Sequence, residues 1–465
     1  MKPSRRLFLR GIQNAALAAA SIFLLLASPV PANGPPTKTY RRAFSGGTLK
    51  RSAWLPEPGQ RHRAPVLGAD ETFASDPWPL IKGWQDKAKG EAMVAAFRAA
   101  GLRSLRLGFI GVYSPVSDAE SQKVKSANRL PNQFPWFPFK DYAGFIAANQ
   151  FTTVVAINVE EGPEVAKSVV DDFMASGAAS KLVAIELSNE PHLSQRPWLP
   201  EDYADRAADI IERLTPLGVR FGLPLTVGRE AKTPTRLSDD EWNERMLRRL
   251  AARIDLKTRT DIYGVIHLYA RGVGPNAIRL FDQAVRPFAP NMRYLVTEFN
   301  IRSNLNGNPH LTNAYAMEFA RRLAEMMAQP EIEAMYVHSV PFHAIMYWAD
   351  GKKLATVVGR SDPKLTGDDL SYGWHLTPSG KVYGLYSDLA WNGFVIAYHQ
   401  SGDQAYWGVE DGEGRVVVTL LNSKDSAMAK RVKMGGVDLK LSAPGKSIVC
   451  YDGQGNELRR LSLGG

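Results

Sequence analysis

Between Pro65 and Leu389 short apolar runs alternate with longer stretches whose apolar residues recur at three- and four-residue spacing. The first pattern suits β-strands and the second amphipathic helices. Val66-Leu67-Gly68 makes a weak opening strand, followed by a helix over Lys87–Ala100. Arg103–Phe109 and Phe151–Asn158 are the second and third strands, each trailed by a helix, near Phe139–Asn149 and over Glu164–Ala179. The fourth runs from Leu182 to Asn189-Glu190-Pro191, and its helix, Glu201–Leu214, puts Ala204, Ala207, Ala208 and Ile211 on one face. Leu223–Val227, Asp261–Tyr269, Arg293–Asn300 and Glu333–Ser339 complete the strands, with helices over Asp240–Ile254, Asn276–Val285, Asn313–Met327 and near Lys381–Leu389. Eight such units predict an α/β fold, a closed (β/α)₈ TIM barrel. An open doubly wound sheet is the alternative, but no glycine-rich phosphate loop supports it.

After Asn392 the period changes to two, with turn signals such as Asp411-Gly412-Glu413-Gly414. Strands are expected over Phe394–His399, Ala405–Val409, Val416–Leu421, Val432–Met434 and Ser447–Tyr451, a small sandwich-like all-β domain. Residues 33–64 are rich in Pro, Gly and Arg and read as an extended lead-in, with Thr48–Trp54 able to join a sheet. Residues 1–32 carry Ser4-Arg5-Arg6-Leu7-Phe8-Leu9-Arg10, an apolar run from Ala15 to Ala27 and the small-residue exit Val30-Pro31-Ala32. That is the pattern of a twin-arginine export signal, and an uncleaved membrane anchor is its rival. The expected division is therefore 1–32 signal, 33–64 lead-in, 65–391 barrel and 392–465 β domain.

Composition narrows this further. With 45% hydrophobic and 22% charged residues, the 465-residue chain is ordinary globular material. The formal net charge is +10, of which Lys2, Arg5, Arg6 and Arg10 in the signal supply four. No basic block with interleaved aromatics suggests nucleic acid. Cys450 is the single cysteine, so an intrachain disulfide and a thiolate metal site are excluded. A periplasmic or secreted protein is expected, without cofactor and without stable membrane insertion once the signal is removed.

The candidate chemistry lies at two strand ends. Glu190 closes the fourth strand and Glu298 the seventh, and in a (β/α)₈ barrel that end of each strand carries the functional groups. Two carboxyls facing one another are what glycoside hydrolysis needs: one protonates the leaving oxygen, the other meets the developing positive charge. A gap of about 5–5.5 Å implies retention of configuration and roughly 6.5–9.5 Å inversion. By parity Glu186 points into the barrel one layer below Glu190, as a paired structural carboxylate or as a group supporting the site, the former being favoured. His267 and Tyr269 share a strand face. His267 reads equally as a core histidine, and Arg106 either as a cation near Glu298 or as a surface arginine.

Asn189-Glu190-Pro191 with Thr297-Glu298-Phe299 resembles the clan A retaining glycoside hydrolases over Pro65 to Leu389. Families 39 and 79, which carry an accessory carboxy-terminal β domain, are the nearest in plan. The resemblance implies that Glu190 is the general acid/base, Glu298 the nucleophile, Asn189 a partner of the sugar 2-hydroxyl and Tyr269 a hydrogen-bond donor to the nucleophile. It also implies a tryptophan beneath the bound sugar, for which Trp348, in the loop after the eighth strand, is the best placed. Tyr347 and Trp374 share that loop, while Trp136 and Trp198 are expected to be buried. Asn158 and Glu160, after the third strand, are candidates for a sugar hydroxyl or for loop caps. The expected partner is a polysaccharide or oligosaccharide. A transglycosylase on the same scaffold and a non-catalytic carbohydrate-binding envelope protein are the rivals. The latter has no need of two facing carboxylates, whose like charges cost energy unless a proton or cation intervenes.

Overall fold

The computed structural model describes residues 61–71, 87–107, 139–193, 198–226, 237–269, 278, 282–301, 309–340, 345–349, 354–355, 373–411, 414–434 and 437–464. The expected signal, Thr48–Trp54 and Trp136 lie outside these residues. After a two-residue strand β1 (His62–Arg63), eight parallel strands close into a barrel. They are β2 (Val66–Glu71), β3 (Ser104–Leu107), β4 (Thr152–Ile157), β5 (Leu182–Leu187), β6 (Phe221–Pro224), β7 (Ile262–Tyr269), β8 (Tyr294–Asn300) and β9 (Ile332–Val340). Around them run α1 (Lys87–Ala99), α2 (Phe139–Asn149), α3 (Gly162–Ala175), α4 (Pro200–Leu214), α5 (Asp239–Ala251), α6 (Asn313–Met327) and α7 (Pro378–Ala390). The barrel is the (β/α)₈ fold that the alternation predicts.

Local chemistry starts the helices. Pro200 opens α4, with Glu201 and Asp202 complementing the positive end of the helix. Ser238 and Thr312 cap α5 and α6 by accepting the amides of Glu241 and Tyr315. The buried stripe of α4 includes Tyr203, Ala204, Ala207, Ala208, Ile211 and Leu214, so hydrophobic burial holds it to the barrel. Outside, Arg245–Glu201 and Arg249–Asp205 link α4 to α5 and Arg253, just beyond α5, reaches Glu212, but these pairs are partly solvated and stabilise little.

The weak first strand has a reason. A Cβ on Gly68 would meet the Tyr336 ring at 2.4 Å, so glycine is required where that ring crosses the barrel interior. Tyr336 reaches on to Ser104, oxygen to oxygen at 3.0 Å. Below this level the interior is apolar, with Val154, Ala184, Val265, Leu295 and Ala334 buried together. Above it the interior is charged.

After β9 the chain makes a three-stranded sheet, β10 (Met346–Ala349), β11 (Leu354–Ala355) and β12 (Gly373–Leu376), where an irregular loop was expected. The all-β region follows: β13 (Phe394–Ser401), β14 (Gln404–Glu410), β15 (Val416–Asn422), β16 (Met428–Met434), β17 (Val437–Ala443), β18 (Ser447–Asp452) and β19 (Glu457–Ser462). Six strands form one sheet in the order β1-β13-β14-β15-β18-β19, and β16-β17 form a hairpin. Val418, Leu420, Val432, Leu441 and Val449 make a small core between hairpin and sheet. On the other face Trp407, Val409, Leu421 and Ile448 belong to the same apolar cluster as the barrel helices. The Trp407 ring meets Tyr386 of α7 edge-on at 4.8 Å. Among the described residues no helix is long and apolar enough to cross a membrane.

Candidate active site

Two departures from regular strand geometry build the site. At the end of β5 the Tyr203 hydroxyl donates to the Leu187 carbonyl at 2.6 Å, fixing where the strand stops. Ser188 and Glu190 then both take left-handed backbone conformations, φ 81° and 44°, with Asn189 between them and a 3₁₀ turn beginning at Pro191. Each left-handed non-glycine residue costs about 1–2 kcal/mol. The turn brings Glu190 to His267, whose Nδ1 lies 3.0 Å from it and whose Nε2 lies 3.8 Å from Glu186.

The second departure is a bulge in β8. Ile266 pairs with Val296 but His267 with Glu298, so Thr297 is an extra residue. The β8–β9 register slips correspondingly between Val296 and Phe299. A bulge reverses the facing of the residues beyond it. Strict alternation from inward Leu295 would aim Thr297 at the axis; the bulge aims Glu298 there instead, and leaves the Thr297 hydroxyl buried without a hydrogen-bond partner among the described residues.

The inward groups form one network. Arg106, fully buried on β3, donates to Glu186 through Nε at 2.8 Å and Nη2 at 2.6 Å. Its Nη1 donates to Asp70 at 3.0 Å and to Glu298 at 3.1 Å, and its Nη2 also to Asn189 Oδ1 at 2.7 Å. Tyr269 donates its hydroxyl proton to the other oxygen of Glu298 at 2.7 Å. His267 Nδ1 lies 3.0 Å from Glu190 and 3.4 Å from Glu298, and its Nε2 lies 3.8 Å from Glu186. His338 Nδ1 lies 2.6 Å from Asp70 and 3.6 Å from Glu298.

The charges follow from this packing. Burial would raise the pKa of Glu298, but His267, His338, Arg106 and the Tyr269 hydrogen bond outweigh it and hold the carboxyl well below its usual range. Burial would lower His267, yet the Glu298 charge, with Glu186 and Glu190 alongside, pushes it up to about 10. His338 is raised likewise, against its burial, by Glu298 and Asp70. Against its own burial, Glu190 is held low by the His267 hydrogen bond. Both carboxyls of the pair are thus ionised at neutral pH, and the proton nearest Glu190 sits on His267.

Sequence reasoning therefore brings together Glu190, Glu298, Asn189, Tyr269, His267 and Arg106 at one place. Arg106 is an interior cation and not a surface arginine, and Glu186 pairs with it while also lying 3.8 Å from His267 Nε2. The Asn158 side-chain oxygen accepts the Glu160 amide at 3.1 Å and caps the 3₁₀ turn Val159–Glu161. Trp348 lies in β10, its backbone opposite Trp374 and Ala355. Trp198 is partly buried, edge-on to Tyr203 at 6.4 Å. Asp70 and His338 were missed, although alternation from Val66 and from Ala334 reaches both. Glu161 was missed too; burial, then the Glu160 charge, raises it to about 8.

Two trios, Asp70–Glu298–His338 and Glu190–His267–Glu298, each bring three potential metal-donor atoms within 4.8 Å of one another. In each, an imidazole Nδ1 lies at hydrogen-bond distance from a carboxylate oxygen, His267 from Glu190 at 3.0 Å and His338 from Asp70 at 2.6 Å. Arg106, His267 and His338 supply the positive charge that a cation would bring.

No protein-family model and no curated protein matches this sequence. Solved structures do share its fold. An endo-β1,6-glucanase aligns with TM-score 0.55 at 14% identity, over 85% of this chain and 92% of its own. A family 51 α-L-arabinofuranosidase from Bifidobacterium longum aligns with TM-score 0.55 at 10% identity, over 82% and 87%. A family 30 endoxylanase from Clostridium papyrosolvens C71 aligns with TM-score 0.51 at 14% identity, over 85% and 97%. The structural neighbours thus include clan A glycoside hydrolases of families 30 and 51.

Proposed function

We propose that this protein is a retaining glycoside hydrolase acting on a polysaccharide or oligosaccharide, exported through its twin-arginine signal to the periplasm or beyond. The observation that carries the reading is the facing pair: one oxygen of Glu190 and one of Glu298 lie within 4.8 Å of one another, which favours the shorter of the two carboxyl spacings that glycosidases use. Retaining enzymes hold the pair about 5–5.5 Å apart, and inverting ones leave roughly 6.5–9.5 Å for a water. The glucanase, xylanase and arabinofuranosidase folds support the same reading. The finer likeness to families 39 and 79 rests on the strand-end motifs alone.

In this mechanism Glu298, ionised and gripped by Arg106 and Tyr269, attacks the anomeric carbon. Glu190 gives the leaving oxygen a proton as that bond breaks, a proton available to it from His267 Nδ1 across 3.0 Å. Glu190 then takes a proton from the water that displaces Glu298 and restores the site. Asn189, its oxygen held by Arg106, keeps its amide protons for the sugar 2-hydroxyl. Trp348 is the proposed stacking surface, residues 65–391 carry the chemistry, and the β region from 392 onward braces the barrel.

Azide tests the roles. Glu298→Gly with azide regains turnover of an activated aryl glycoside and yields a glycosyl azide of inverted configuration. That inverted product from Glu190→Gly would exchange the roles. Wild-type chain that binds a panel of neutral and acidic polysaccharides without releasing reducing ends would be a carbohydrate-binding protein.

A further inference from the structure

Beside His267 Nδ1 at 3.4 Å, Glu298 faces two further cations, Arg106 Nη1 on one oxygen at 3.1 Å and His338 Nδ1 on the other at 3.6 Å. Both nitrogens also contact one further group, Asp70, whose Oδ1 accepts from Arg106 at 3.0 Å and whose Oδ2 accepts from His338 at 2.6 Å. Asp70 is completely buried and makes no hydrogen bond to Glu298. An oxygen of each lies within 4.8 Å of the other, so the two like charges coexist through the cations between them. The rest of the Arg106 guanidinium is tied to Glu186 and Asn189, with His267 Nε2 also 3.5 Å from Nη2. Among the described residues His338 has no second tie of that kind, and its ring meets Tyr269 edge-on at 5.8 Å.

We infer that Asp70 is a positioning residue for Glu298, acting through His338 and Arg106, whose nitrogens it fixes against the two oxygens of the nucleophile. This rests on the hydrolase reading and deepens it. Asp70 works in two ways. It holds His338 in the orientation and protonation state that face Glu298, since an imidazolium between two carboxylates keeps its proton. It also tempers the positive field: with the cations unbalanced, Glu298 would hold its electrons too tightly to attack. The groups around His338 are Asp70 from β2, Glu298 from β8, Tyr269 and His267 from β7 and, beyond Asp70, Arg106 from β3. Glu190 from the end of β5 faces His267.

The experiment has two arms, both on the full chain. In the first, ring-¹⁵N histidine spectra follow protonation with pH, His338 being assigned from the resonance lost in His338→Gln. In Asp70→Asn the His338 midpoint falls by about one unit or more. In the second arm, kcat and KM for an activated aryl glycoside are measured against pH. Asp70→Asn lowers kcat by about tenfold to a hundredfold, leaves KM within about twofold and moves the alkaline limb to lower pH. In a His338→Gln background Asp70→Asn no longer moves that limb. An unchanged His338 midpoint would overturn the inference, as would an equal limb shift with and without His338. Should the wild-type chain cleave no glycoside, the hydrolase reading fails by itself, and the spectra still decide whether Asp70 holds His338.

Discussion

The two carboxylates of the site are held in opposite ways. Glu298 has 9% of its side chain exposed, sits in a strand and is gripped on both oxygens by Arg106 and Tyr269 with two imidazoles beside them. Glu190 has 28% exposed, sits on a left-handed turn beyond its strand and has one close partner among the described residues, His267. A group that must form and break a covalent bond at a fixed carbon gains from immobility and lasting charge. A group that must load, deliver and recover a proton gains from access to solvent and from a single partner able to share one.

The contrast can be broken most forcefully at Glu190. Glu190→Gln is expected to cost about 10²–10⁴ in kcat/KM when the leaving group is a sugar. With a dinitrophenyl leaving group, which needs no proton, the cost of the first step shrinks towards none. A series of aryl glycosides graded by leaving-group acidity measures the slope, and an equal loss across the series would erase the distinction. A smaller effect comes from His267, whose folded value near 10 exceeds its ordinary one near 6.5. The folded state therefore binds more protons between those limits, so stability is full below about pH 6.5 and falls as pH rises towards 10, by at most about 1.4 kcal/mol per unit. Urea melts at pH 6, 8 and 10 read this, and His267→Asn should flatten the decline. Smallest is Ser188→Gly, which relieves the left-handed strain at φ 81°. It should raise stability by about 1 kcal/mol or less and lower kcat several-fold as Glu190 loses its aim. Denaturation midpoints and kinetics on one preparation check both.

The barrel was legible because its strands are buried on both faces and read as apolar runs, and because Glu190 and Glu298 interrupt two of them at their ends. What stayed hidden lay in register. The bulge at Thr297 exists only as a mismatch between three neighbouring strands, and no property of Thr297 itself announces it. Asp70 was lost because Gly68, needed for Tyr336, looks like the end of a strand. β19, Glu457-Leu458-Arg459-Arg460-Leu461-Ser462, is an exposed edge strand with charges where burial would have shown alternation. β17 had its signal in Val437, Leu439, Leu441 and Ala443, alternating with Asp438, Lys440 and Ser442.

The short strand β1 has a consequence for how the chain can be made. His62 and Arg63 pair with Val395 and Phe394, and β2 closes the barrel against β9. The earliest described residues thus wait for partners that leave the ribosome hundreds of residues later. A product stopped before Phe394 lacks the partner strand for β1, and one stopped inside β9 lacks the seam that shuts the barrel. Prematurely terminated chains therefore present raw β-edges to one another, and the final stretch of translation acts as a latch on the whole fold.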